Sequence, residues 1–233
     1  MTNSEIRDFL EAHADARYAA FSASLVPGAQ RLLGVRLPVL RALARDIAKD
    51  DWRTYLEGAA DDSFEETMLQ GLVTGAARMP FAEQLERVAA YVRKIDNWSL
   101  CDSPATGFKF VRKHREEAWQ FLQPYLHGDG EFAQRFAWVM LLAHFVTDEF
   151  IGRVLDACTA VPPSGFYAMM GKAWLVAVCF AKYPAPTRLL LAGGRMDDET
   201  QNQAIRKITD SFRVTEENKR YVRTLKRAAA RNK

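Results

Sequence analysis

The chain has little of what usually announces a fold or a chemistry. Only three of its 233 residues are cysteine, and Cys101, Cys158 and Cys179 are odd in number and far apart. That argues against a disulfide framework or a thiolate metal site and for reduced thiols. No run of about 18 apolar residues exists, the length a membrane-crossing helix needs, so no membrane span is expected. The polar, acidic opening 1–11 is wrong for a signal or transit peptide, and the expected location is the cytoplasm. The four histidines (His13, His114, His127, His144) lack metal-ligand spacing, so no metal is expected. Gly-x-Ser-x-Gly, Walker and dinucleotide-binding patterns are missing, and no cofactor is expected. Sustained period-two alternation is absent too, which leaves strands without a signal.

What is present is ordinary globular composition, 48% apolar and 26% charged, on a chain long enough to bury a sizeable core. The net charge of +3 conceals an asymmetry. From Arg206 to Lys233 ten Lys/Arg face three acids, a local +7, so the other 205 residues carry −4. A basic tail on a near-neutral body suits a phosphate-bearing partner, and it equally suits a solvated terminal helix.

Helical patterns follow one another. Ser4 can cap a first helix over 5–18, and Pro27-Gly28 marks a turn. Pro38 fits the first turn of a helix that points Leu37, Leu40, Leu43, Ala44 and Ile47 inward. An aspartate, Asp50 or Asp51, can cap 52–58, and Ser63 with Glu66 forms a capping box for 64–77. Further helices are expected over 81–91, 106–113, 116–125, 131–145, 148–158, 166–182, 197–212 and 216–230. Roughly a dozen helices paired about every 35–40 residues match stacked hairpins of the HEAT type. The expectation is therefore one all-α HEAT-like helical-repeat solenoid over 1–233, with a concave groove and basic C-terminal helices over 206–233. Nothing suggests an oligomer, so a monomer is expected.

The segment Asp96-Asn97-Trp98-Ser99-Leu100-Cys101-Asp102 stands out. On a helix, Trp98 and Asp102 would share a face one turn apart, and an aromatic ring beside a carboxylate suits a cationic ligand. Asp102-Ser103-Pro104 is also a good helix start, with Asp102 or Ser103 as cap. Pro104 cannot donate to the Leu100 carbonyl and disfavours helical geometry at Ser103. Trp98 and Asp102 are therefore expected on a short turn before that break. The polar neighbours of Trp98 point to a partly exposed ring, whereas Trp52, Trp119, Trp138 and Trp174 read first as core. Arg135 sits in an apolar stretch, where it needs either an internal acceptor or a phosphate in a groove. Lys109, Arg112 and Lys113 form a basic run that is either a solvated helix end or a set of phosphate contacts.

Taken in order, these landmarks resemble the DNA alkylation repair glycosylases built from HEAT-like repeats, the AlkD-like proteins. The resemblance covers about 18–226 and rests on Leu33-Gly34-Val35-Arg36-Leu37-Pro38-Val39-Leu40-Arg41, on the Asp96–Asp102 segment, and on Arg135-Phe136-Ala137. It continues through Lys172-Ala173-Trp174 and Ser211-Phe212-Arg213-Val214-Thr215. The chain also resembles a divergent branch of that family, with Ser103-Pro104 after the aspartate. The resemblance implies Asp102 and Trp98 as catalytic residues. It implies Arg135 and Trp174 as DNA contacts, to which the basic run adds Lys109, Arg112 and Lys113 as candidates. The implied partner is double-stranded DNA with alkylated bases, and the implied reaction is release of N3- or N7-alkylated purines by a monofunctional glycosylase. Read from the residues alone, the same scaffold could instead be a non-catalytic nucleic-acid-binding or protein-scaffold module.

Overall fold

Helices, several started by their own N-cap side chains, account for most of the described residues. The computed structural model describes residues 1–26, 28–29 and 31–228, so Pro27 of the expected turn and the last five residues of the basic tail lie outside the described residues. Among those described there are fourteen α-helices, one 3-10 helix and no strand, so the fold is all-α. No helix among them is long and apolar enough to cross a membrane. The chain divides into two compact units, Met1–Ala118 and Trp119–Lys233.

The first unit begins with α1 (Asn3–Ala12) and α2 (Ala16–Leu25), where the sequence pattern suggested one helix. They part because Asp15 takes the Tyr18 amide at 3.0 Å and starts a new helix, while Thr2, not Ser4, caps the first. Then come α3 (Leu37–Ile47), α4 (Trp52–Gly58), α5 (Phe64–Ala76), α6 (Phe81–Val92) and α7 (Trp98–Ala105). The expected helix over 106–113 is instead a short 3-10 helix, η1 (Lys109–Lys113). Asp51 caps α4 and Ser63 caps α5, as their spacing predicts. Every second helix stacks on the next, α3 on α5 and α5 on α7. Leu40, Leu43 and Ile47 of α3 are buried, as are Met68, Leu69 and Val73 of α5, the helix it packs on.

A buried carboxylate locks this unit. Glu65 is 1% exposed, yet it makes no ion pair among the described residues. Its oxygens accept the backbone amides of Leu33, Gly34 and Val35 at 2.9, 2.8 and 3.2 Å. Three donors offset the desolvation of one charge. The strand-like segment they hold needs glycine at position 34. There φ is +84°, and a Cβ would fall 2.1 Å from the Asp15 carbonyl oxygen.

The helix α7 does not stop before Pro104, as its sequence suggested it would. Asn97 caps it by accepting the Ser99 and Leu100 amides, both at 3.0 Å. The proline lies inside the helix and leaves the Leu100 carbonyl without its usual donor. The Tyr91 hydroxyl of α6 donates to that carbonyl at 2.8 Å. This bond replaces the missing one, and the helix continues to Ala105.

The boundary between the units falls within α8 (Arg115–Leu126). The second unit contains α9 (Glu131–His144), α10 (Ile151–Ala160), α11 (Phe166–Lys182), α12 (Pro184–Ala192), α13 (Asp198–Asp210) and α14 (Glu216–Arg223). Of these, α10 starts three residues later than expected, α12 was not foreseen, and α14 ends earlier than its basic pattern suggested. Again alternate helices stack, α9 on α11 and α11 on α13. Both α9 and α11 are buried nearly all round, including Phe136, Trp138, Leu175 and Phe180. Their environment holds the Cys158 thiol protonated, its pKa pushed up by burial to about 12.

Three measurements check this account. Gly34→Ala and Glu65→Gln should each lower unfolding free energy by roughly 3 kcal/mol, as expected for a strained backbone and for lost bonds to a charged acceptor; denaturant midpoints report it. Tyr91→Phe should cost about 1–3 kcal/mol by orphaning the Leu100 carbonyl. Adding Pro104→Ala should recover much of that loss, because residue 104 regains its N–H. The raised Cys158 pKa contributes stability that is complete below the unfolded value near 9 and lost as pH rises from there through about 12. Cys158→Ala should therefore show a shallower loss of stability over that range than the wild type.

Candidate active site

Because α7 is continuous, Trp98 and Asp102 sit one turn apart on one helix face. Both are partly exposed. The capping reading of Asp102 fails for this helix, since Asn97 occupies the cap. Nor does Asp102 cap the following η1, whose N-terminus at Phe108 carries no side-chain cap. The carboxylate is thus held in mid-helix, four residues after a tryptophan.

The Trp98 indole has a second task. Its Nε1–H donates to the Leu25 carbonyl at 3.1 Å, which satisfies an acceptor left over at the end of α2. This bond ties the start of α7 to α2 and fixes the ring at the rim of a cavity of about 140 Å³. Tyr18, Phe21, Phe64 and Met68 make its walls mostly apolar. Tyr18 is itself covered by the Arg36 guanidinium, 4.4 Å from the ring centre, and Arg36 pairs with Asp15 at 3.3 Å. The landmark Leu33-Gly34-Val35-Arg36 therefore reaches the Trp98 cavity through Val35 and is anchored by Glu65, which also lines it. Neither Tyr18 nor Glu65 was singled out from the sequence. Glu65 reads there as an ordinary acidic residue in a first helical turn, and its partners lie thirty residues away.

Lys109, Arg112 and Lys113 follow α7 on η1, and all three are exposed. His114, which closes η1, stacks on Phe81 with ring centres 4.3 Å apart and so fixes this basic turn to α6.

Arg135 and Trp174 belong to the second unit, on the packed pair α9 and α11. Arg135 is 7% exposed, and its Nη1 donates to the Tyr167 carbonyl at 2.8 Å. Its neighbours do similar work. Glu131 accepts the Tyr167 amide at 2.6 Å, and Gln134 bridges the Leu126 and Pro162 carbonyls and the Ser164 amide. The first turn of α9 thereby supplies the cap that Gly165 cannot give α11. The internal acceptor weighed for Arg135 is thus present. Trp174 is partly exposed, unlike Trp52, Trp119 and Trp138, which are core as expected. Lys172, two residues earlier, is 2% exposed and donates to the Val161 carbonyl at 2.7 Å. Burial pushes its ammonium pKa down.

Among the described residues no cluster of His, Cys, Asp or Glu could hold a metal ion. In chemical terms, α7 carries an aromatic ring and a carboxylate one turn apart, with cations following on η1. That arrangement favours a ligand with local positive charge inside a polyanion.

No curated protein matches this chain. A family model described as DNA alkylation repair enzyme matches residues 6–162, which includes α7, η1 and the first turn of α9. The match takes in well over half of the sequence, and the chain belongs to the DNA alkylation repair enzyme family.

Proposed function

We propose that the protein is a monofunctional DNA glycosylase that releases N3- or N7-alkylated purines from duplex DNA. The observation that carries this reading is the placement of Trp98 and Asp102 on one face of an uninterrupted α7, with neither spent as the helix cap. An N3- or N7-alkylated purine already bears a positive charge and is a good leaving group. The C1′–N bond breaks with its electron pair departing on the base, which becomes neutral. The positive charge moves to the deoxyribose as an oxocarbenium-like centre, which a water attacks at C1′ before losing a proton.

A carboxylate is the group this sequence of events needs. Asp102 stabilises the sugar cation as it forms and orients the water. Trp98 offers its ring to the cationic nucleotide and the sugar edge. Its N–H is occupied by Leu25, so the ring position is fixed before DNA arrives. No strong general acid is required, and neither a metal nor a cofactor enters the scheme. Lys109, Arg112 and Lys113 serve as phosphate contacts next to this face. Arg135 and Trp174 are proposed as further DNA contacts.

The test is single-turnover release of 7-methylguanine and 3-methyladenine from methylated duplex DNA. Wild type should release at least one of them. Asp102→Asn should slow that release by about 10²–10³-fold, the usual effect of removing a transition-state charge stabiliser. Equal release by both would remove Asp102 from the mechanism. No release by wild type, with salt-sensitive DNA binding retained, would leave a binding module in place of an enzyme.

A further inference from the structure

A second, larger cleft lies beside the far end of α7, wholly within the first unit. It measures about 480 Å³ and is bounded by α3, α5 and the turn from α7 into η1. Three cations line it, Arg41 and Arg45 from α3 and Lys109 from η1, and no carboxylate does. Its floor is low because α5 presents Gly71 and Gly75 there. Side chains at these glycines are excluded by close packing. A Cβ on Gly71 would come within 2.7 Å of the Pro104 ring, and one on Gly75 within 3.0 Å of Phe108.

The charge pattern is the informative part. Several arginines of this unit are neutralised across elements, Arg7 by Asp62, Arg31 by Glu11, Arg53 by Glu83 and Arg87 by Glu57, whereas the exposed Arg17, Arg78 and Arg93 have no ion pair among the described residues and do not line the cleft. Arg41, Arg45 and Lys109 have no ion-pair partner among the described residues. Arg41 and Arg45 are also four apart on an exposed helix face, where like charges repel. Arg45 in the last turn suits the helix dipole, but Arg41 lies a full turn too early for that explanation. Three uncompensated cations around an open, glycine-floored cleft fit an anion with several oxygens that arrives from solution.

We propose that this cleft seats consecutive phosphates of the DNA backbone, with Arg41 and Arg45 as the principal ligands and Lys109 closing the seat from α7's side. The proposal rests on the glycosylase reading for its choice of polyanion. It assigns α7 two jobs, since the helix carries Asp102 in its middle and forms one border of the cleft through Ser103 and Pro104. A strand held by the arginines is thereby registered against the helix that bears the carboxylate. The guanidinium fork suits paired phosphate oxygens better than an ammonium does.

The experiment measures the salt dependence of binding to an unmodified duplex, with helicity and melting temperature recorded for every variant. Arg41→Ala/Arg45→Ala should flatten the slope of log K against log salt by about 2 and weaken binding at least about tenfold at low salt. Arg41→Lys/Arg45→Lys should retain the slope. The control pair Arg17→Ala/Arg93→Ala removes the same charge from exposed positions that do not line the cleft. Its slope should match the wild type. An unchanged slope for the Arg41/Arg45 pair, or an equal loss for the control pair, overturns the seat and leaves the glycosylase reading standing. DNA binding that follows the predicted pattern without base release overturns the glycosylase reading and supports the seat. Absence of DNA binding by wild type at low salt overturns the seat together with DNA as the partner.

Discussion

The hydrogen bond from the Tyr91 hydroxyl to the Leu100 carbonyl decides what α7 can be. A proline at position 104 removes the donor that carbonyl would have, and without a substitute the helix would kink or end one turn earlier. The donor comes from α6, buried and rigid, so the helix runs through the proline and keeps Asp102 at its centre. Asn97 completes the arrangement by taking the cap of the helix. Two backbone accounts, one at each end of a short helix, thus determine where a carboxylate stands relative to a tryptophan.

The surroundings hold that helix in place with similar economy. Glu65 gathers three amides of the 33–35 segment into one buried carboxylate, and Gly34 lets the segment approach α2. The Trp98 indole then ties α7 to the last turn of α2. Glycines at 71 and 75 let α7 and its following turn press onto α5. The same absence of side chains leaves an open, cation-lined cleft at the border of the helix. Close packing and the open cleft therefore come from the same two glycines.

Much of this was legible in the sequence, and the failures have definite causes. Apolar periodicity located α3, α5, α6, α9 and α11, and capping residues fixed the starts of α4 and α5. The partly exposed Trp98 ring followed from its polar neighbours. The break between α1 and α2 was missed because Asp15 looks like one more polar residue on a helix face until its carboxylate meets the Tyr18 amide. The course of α7 was misjudged for a physical reason: a proline is a breaker only when its orphaned carbonyl stays orphaned, and Tyr91 is not visible as its donor from sequence. Glu65 escaped notice for the same reason, since its partners are distant in the chain. For Arg135 the sequence left two destinations open, and the structure places one nitrogen on the Tyr167 carbonyl.

The chain belongs to the DNA alkylation repair enzyme family, and the function proposed for it has α7 hold a cation between an aromatic ring and a carboxylate. The central claim is that Asp102 recognises positive charge on the sugar. The most direct measurement compares duplexes carrying two abasic-site analogues of the same shape, one a protonated pyrrolidine and the other a neutral tetrahydrofuran. Wild type should bind the cationic analogue at least about tenfold more tightly, a difference of roughly 1.4 kcal/mol, and Asp102→Asn should bind the two alike. Equal affinity in the wild type, or a preference that survives Asp102→Asn, would contradict the account.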